Sequence, residues 1–246
     1  MLSDEICREA LEIAAEHRAA DIRIGLGYTA VALEDGRCGL AYTLHEREYE
    51  SCTVIGEAGT LAGRRVSELI SWINKPDETA CAVGLASANA LIRVPQSAAE
   101  SDILDLLRFE SEDTVGMIGY FGPLVSPVRK RARVLYIFER KAIPDLGVLP
   151  DSAAEELLPH CQIAIISATT LLNHTIDGLL SYCKTAREVA ILGPSTPFIP
   201  EPFRKRGVTI LSGVRVIDGP QVLRFVSEAG GTRSFGGAIR KVALRI

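Results

Sequence analysis

The sequence predicts an α+β unit followed by an α/β unit built on a largely parallel sheet. Three observations lead there. Two β-rich runs, residues 22–33 and 38–44, are separated by Glu34-Asp35-Gly36-Arg37, and Asp-Gly between such runs is a strong hairpin signal. Beyond residue 113, short apolar runs alternate with helical stretches, the pattern of a parallel sheet with right-handed crossovers. Where the two patterns meet, DTVGMIGYFGP (residues 113–123) runs from an acidic lead-in through an apolar strand to a glycine turn closed by Pro123. Doubly wound α/β sheets bring backbone amides to a ligand in this way.

The elements follow in order. Ser3 and Asp4 are placed to cap a first helix whose apolar positions Ile6, Ala10, Leu11, Ile13 and Ala14 recur at helical spacing, with an end expected near residues 17–20. The hairpin comes next, and residues 52–55 are a further short run that could extend its sheet. Residues 62–72 place Val66, Leu69 and Ile70 on one helix face. ETACAVGLASANALI (78–92) is an alanine-rich helix suited to close packing. These form an α+β domain over residues 1–95. A polar, acidic connector, 96–112, holds an amphipathic piece at 103–109. The α/β domain spans 113–246, with strands expected at 115–118, 134–138, 163–166, 189–192, 208–211 and 239–245. Its clearest helices are 151–158, 171–183, 200–205 and 220–229.

Composition narrows the function classes. The chain has 246 residues, 47% hydrophobic and 24% charged, as in ordinary globular proteins. A net charge of −4 without a basic block argues against nucleic-acid or membrane-surface partners. No apolar run approaches the roughly 18–20 residues that span a bilayer, and the acidic, amphipathic N-terminus is no signal peptide. A cytoplasmic protein is expected. The six cysteines are scattered without a CxxC pair, so they read as small buried hydrophobes rather than zinc ligands.

In such a sheet the ligand sits at the C-terminal strand ends, where four loops collect. The first is GYFGP (119–123), and the second is led by Glu139, about where an acid holds a ribose in these folds. The third is SATTLLNHT (167–175), and the fourth is GPSTPFIP (193–200), whose prolines stiffen the loop around Ser195 and Thr196. Against this stands the plainer reading that Ser167, Thr169 and Ser195 cap the following helix or turn. His174 is a candidate acid/base or metal ligand, although a lone helix histidine is more often surface or packing. His160 and Cys161 lie at the other end of the sheet, and His45, in HEREYE, reads as a solvated charged hairpin end. The glycines are spaced GxxGxxG, not GxGxxG, which weakens NAD-dependent oxidoreduction.

VGLASANAL (83–91), VGMIGYFGPL (115–124), ILGPSTPFIP (191–200) and LSGVRVID (211–218) together resemble the "putative heavy-metal chelation" family, known as DUF364 with an N-terminal DUF4213 domain. The likeness covers nearly the whole chain, and GLASANA and GPSTP are its most specific parts. The resemblance implies an enolase N-terminal-like α+β domain joined to a Rossmann-like α/β domain similar to methyltransferases, with the site where the domains meet. The roles it implies are heavy-metal chelation, or condensation or hydrolysis in making pterin-, flavin- or siderophore-like molecules. Carried over by motif, the site residues are Gly119, Phe121, Pro123, Glu139, Ser167, Thr169, Thr170, Gly193, Ser195 and Thr196. Tyr28 and Thr29 in GLGYTAV and Asn89 in SANA join them from the first domain. In this reading Glu139 accepts from ribose-like hydroxyls, and amides of Gly119 and the Ser195 loop hold anions. Phe121 or Tyr28 stacks on a ring that Asn89 orients.

The expected ligand is a small molecule, either nucleotide- or S-adenosylmethionine-like or a metal chelate. No catalytic residue and no protein-borne metal ligand is assigned, because the soft-ligand clusters that tight metal binding wants are missing. The alternatives are a non-catalytic carrier or sensor of a metal chelate and an S-adenosylmethionine-type enzyme. A homodimer is the expectation from frequency alone.

Overall fold

A computed structural model describes residues 1–44 and 53–246 of the chain, so His45 and Cys52 lie outside the described residues. Helix α1 (Leu2–Glu12) starts earlier than expected, with Met1 as its cap: the terminal amino group meets the Asp4 carboxylate at 2.7 Å. Ser3 points into the core beside Leu2, Ile6 and Ala10. The helix stops well short of residue 17, and Ala15 has a left-handed φ of +41 that no right-handed helix continues through.

The first β-rich run is two strands. Strand β1 (Ala19–Ile24) turns back at Gly25-Leu26-Gly27 into β2 (Tyr28–Leu33), and β3 (Cys38–Tyr42) follows the Asp35-Gly36 turn. Gly36 supplies the positive φ, +86, that the turn requires. The three strands form an antiparallel sheet in chain order. Residues 53–55 add no strand. The 62–72 stretch is helical only as α2 (Val66–Ile70), tightening into a 3₁₀ turn at Ser71–Asn74. Helix α3 (Glu78–Leu91) is capped by Asp77, whose carboxylate accepts from the Ala80 N–H at 2.8 Å. Its small residues allow the close approach the sequence suggests. A Cβ on Gly39 of β3 would sit 2.2 Å from both the Ala86 carbonyl oxygen and the Ala90 nitrogen of α3.

After the short α4 (Ile103–Leu106) the large sheet begins with β4 (Thr114–Ile118). A helix not foreseen, α5 (Gly122–Arg129), follows directly, because Pro123 falls in its first turn, where the missing N–H costs nothing. Next come β5 (Val134–Glu139), β6 (Val148–Pro150), α6 (Ala154–Leu157) and β7 (Ile163–Ser167). Strand β6 is only three residues long and carries no period to read. Helix α7 (Ile176–Tyr182) begins later than 171, because His174 takes φ +57 and interrupts it. The chain closes with β8 (Glu188–Leu192), α8 (Pro200–Arg204), β9 (Ile210–Val216), α9 (Gly219–Ser227) and β10 (Ile239–Arg245).

The seven strands lie in the order β10-β9-β8-β7-β4-β5-β6, all neighbours parallel except β9–β10. From β4 the chain builds outward through β5 and β6, then crosses back to β7 and builds the other way. The sheet therefore changes direction between β4 and β7. Among the described residues no helix is long and apolar enough to cross a membrane.

Several contacts join the small-sheet part of the fold to the large-sheet part. Helix α9 and Phe235 cover one face of the small sheet, packing Val222, Val226 and Phe235 against Tyr28, Ala30 and Leu40. Arg206 bridges Glu5 of α1 at 2.7 Å and Asp177 of α7 at 2.9 Å, and Asp177 also accepts the Leu2 N–H. The Ser195 hydroxyl accepts the Tyr42 N–H at 2.8 Å, which fastens the last residue of β3 to the loop after β8.

Candidate functional site

Parallel register sets the site. Ile118 pairs with Phe138 of β5 and with Ile166 of β7, so the next residues, Gly119, Glu139 and Ser167, leave three neighbouring strands side by side. They line a cavity of about 450 Å³ at the point where the sheet changes direction. Gly119 is required on two counts. Its φ is +94, and a Cβ there would lie 3.1 Å from the Ser167 Cβ.

Glu139 braces the glycine turn. Its Oε1 accepts the Tyr120 N–H at 2.6 Å, a charge-assisted bond to an otherwise exposed amide. The Ser167 and Thr169 hydroxyls lie 2.8 Å apart, one donating to the other, and Ser167 Oγ also accepts the Thr169 N–H at 3.3 Å. Thr170 turns its hydroxyl onto the Ser167 carbonyl at 2.6 Å. Asn173 Oδ1 accepts from both the N–H and the hydroxyl of Thr175, leaving the amide NH₂ as the donor end. The plainer capping reading thus describes part of what Ser167 does, yet the three hydroxyls still line the cavity.

Of the thirteen site residues expected from the sequence, the structure gathers Gly119, Glu139, Ser167, Thr169 and Thr170 around this cavity. Phe121 and Pro123 sit beside it at the start of α5. Phe121 packs on the apolar layer under the sheet, and its ring is 3.5 Å from where a Gly119 Cβ would be. The others are placed elsewhere. Tyr28 is buried edge-on between Tyr42 and Phe235, at centroid distances of 5.5 and 5.4 Å, and burial pushes its phenol up to about 12. Thr29 is buried with its hydroxyl 2.9 Å from that of Thr43. Asn89 donates to the carbonyls of Leu40 and Ser195 at 2.9 and 3.4 Å. Thr196 donates to the Ser212 carbonyl, and Gly193, at φ +131, gives its N–H to the same oxygen. The GPSTP and SANA motifs thus join β3, α3 and β9, and Asn89, Pro194 and Thr196 also line another cavity there.

Sequence reasoning did not single out Leu44, Arg140, Asp151, Ser152 or Tyr182, which also line the cavity. Arg140 follows Glu139 directly, so the ERK triplet carried a signal; it is ion-paired with Glu78 of α3 at 3.1 Å. Ser152 and Tyr182 had no local signal. His174 is at the cavity too, but its Nε2 meets the Lys75 carbonyl at 3.0 Å and its Nδ1 is buried without a partner.

The donor set speaks to metal. Burial pushes the thiols of Cys38, Cys81, Cys161 and Cys183 up to about 12 and raises that of Cys7 as well. None of these is a thiolate near neutral pH. Among the described residues, no three His, Cys, Asp or Glu side chains converge as a metal site.

Family models described as "Putative heavy-metal chelation" match residues 102–245 (DUF364) and 7–92 (DUF4213). The chain belongs to this family. An uncharacterized protein of Methanocaldococcus jannaschii is 29% identical over 261 residues, covering 100% of this chain and 98% of that protein. Among solved structures, a DUF364 family protein of unknown function from Pyrococcus horikoshii superimposes with a TM-score of 0.87 at 24% identity, over 100% of both chains. Another, from Desulfitobacterium hafniense DCB-2, gives 0.79 at 21% identity over 99% and 98% of the two chains. These likenesses establish the DUF364 fold for this chain: a largely parallel seven-stranded sheet with a small antiparallel one.

Proposed function

We propose that the cavity at the ends of β4, β5 and β7 holds a small organic ligand rich in hydroxyl or amide groups. Any heavy metal the protein handles arrives as part of such a ligand. One observation carries this reading: Glu139, Gly119 and Ser167 leave adjacent parallel strands in register and line one cavity at the sheet's change of direction. Ligands of open α/β sheets sit at that crevice.

Numbered from β4, the sheet runs 3-2-1-4-5-6 with β10 added, the order of Rossmann-like domains, and Glu139 occupies the place of their ribose-binding acid. We accordingly read residues 113–246 as a Rossmann-like domain, 1–95 as an enolase N-terminal-like domain and 96–112 as the connector. Leu44, with Lys75 and Glu78 behind the wall, brings the first of these domains to the rim. Among the described residues no cysteine lines the cavity, and its carboxylates are Asp151 and Glu139, the latter already accepting the Tyr120 N–H, a set that suits hydrogen bonding to an organic molecule better than gripping a soft cation. His174, held by Nε2 against the Lys75 carbonyl, is fixed in the wall by a backbone contact, which favours a carrier or sensor over an enzyme.

Calorimetric titration tests the proposal, using adenosine, S-adenosylmethionine, nickel(II) gluconate and nickel(II) as the aquo ion. An organic ligand or the gluconate complex is expected to bind one to one. Combining Glu139→Gln with Ser167→Ala should weaken it by about tenfold or more, since hydrogen bonds to charged groups contribute about 1.5–3 kcal/mol. Binding of the aquo ion alone, or of none of the four, overturns the reading.

A further inference from the structure

A second cavity, of about 730 Å³, shares no lining residue with the first. It lies between the β2–β3 turn, the end of α3 with the residues after it, and the last half of β9. Its lining is unusual for a chain of net charge −4: three guanidinium groups, Arg37, Arg93 and Arg215, against one carboxylate, Asp35.

That carboxylate is already committed. Asp35 receives Arg37 through Nε at 2.9 Å and through a terminal nitrogen at 2.6 Å, and the same nitrogen lies 2.8 Å from His17 Nε2. Arg37 is therefore a fixed part of the wall. Arg215 gives one terminal nitrogen to Glu100 at 3.3 Å, and its remaining donors have no partner among the described residues. Arg93 is exposed and has no hydrogen bond or ion pair among the described residues. Behind the cations the lining turns apolar at Leu40, Val214, Val216 and Phe198. With Arg37 committed to Asp35 and Arg215 partly to Glu100, Arg93 and the remaining donors of Arg215 leave the lining net positive, and a concave wall focuses that potential. Planar guanidinium forks match the two oxygens of a carboxylate or phosphate.

We propose that this cavity is a second ligand site, for a small oxyanion with an apolar body. Arg93 and Arg215 grip the anionic group and the hydrophobic lining takes the rest. The inference is independent of the strand-end cavity.

The experiment is calorimetric titration of the full-length chain with citrate and with pyrophosphate, one probe for the carboxylate arm and one for the phosphate arm. At least one is expected to bind, more weakly as sodium chloride is raised. Arg93→Ala, whose melting temperature should match the parent, is expected to weaken that binding by about tenfold or more, the loss of one charge-assisted contact. Lys184→Ala, an equal change of charge elsewhere on the surface, and Glu139→Gln are expected to leave it unaltered. Binding of neither anion at about ten times a typical millimolar metabolite level overturns the proposal. So does affinity unchanged in both Arg93→Ala and Arg215→Gln, or affinity lost in Glu139→Gln but kept in Arg93→Ala.

Discussion

Ser195 decides what the GPSTP loop is for. Its side chain is 1% exposed, and its hydroxyl is the acceptor for the Tyr42 N–H, at 2.8 Å. Tyr42 ends β3 opposite Tyr28 of β2, so its N–H points away from the small sheet toward the loop. Ser195→Ala removes that acceptor with almost no change of volume and leaves a backbone donor stranded. A buried donor without a partner costs about 1–3 kcal/mol, and we take about 2 kcal/mol here because the neighbouring Asn89–Leu40 bond keeps β3 in place. For a chain of this length about 2 kcal/mol lowers the melting temperature by about 4–8 °C. Scanning calorimetry reads that shift, and titration of the same variant reads ligand affinity at the strand-end cavity, which should not move. A melting temperature within about 1 °C of the parent together with a loss of ligand affinity would refute the assignment, since the hydroxyl would then be facing the ligand rather than β3.

Three further outcomes follow from packing and burial. Gly39→Ala puts a methyl 2.2 Å from two backbone atoms of α3, which neither element can yield without moving. A loss at or above the usual cost of overpacking, about 1–3 kcal/mol, is expected as poor soluble yield and an early urea midpoint. The buried groups predict alkaline behaviour. Because the Tyr28 phenol stands at about 12 in the folded chain, above its ordinary value of 10.0, its contribution is intact below pH 10 and is lost as pH rises toward 12. Absorbance titration at the phenolate band should show a late component that disappears in Tyr28→Phe, and maleimide mapping at neutral pH should label Cys81, Cys161 and Cys183 only after denaturation.

Much of the fold was legible because its signals are local. The Asp35-Gly36 turn, the alanine-rich α3 and the alternation after residue 113 each depend on residues within a few positions. Local reading failed where the deciding partner is distant. The first β-rich run looked continuous because nothing in 22–33 but Gly25 and Gly27 marks the fold-back. Gly25 is held small by the Val226 carbonyl, 2.2 Å from where its Cβ would be. Helix α5 was hidden because Gly-Pro reads equally as the end of a turn and the beginning of a helix. The site divides in the same way. Gly119, Glu139 and Ser167 follow apolar strands whose register can be counted, so their meeting was readable. The hydroxyls of Ser195 and Thr196 find their partners, Tyr42 and Ser212, only in three dimensions. The aromatic cage that buries Tyr28 is completed by Phe235, near the far end of the chain.

That last contact has a consequence for synthesis. The face of the small sheet bearing Tyr28, Ala30 and Leu40 is covered by α9 and Phe235, which are the last parts of the chain but one to be made. At translation rates of about 5–20 residues per second, this apolar face waits about 10–40 s for its cover. Premature release of a chain ending before Gly219 would leave it permanently bare, so incomplete products should be caught by chaperones and proteases rather than persist as a folded N-terminal fragment.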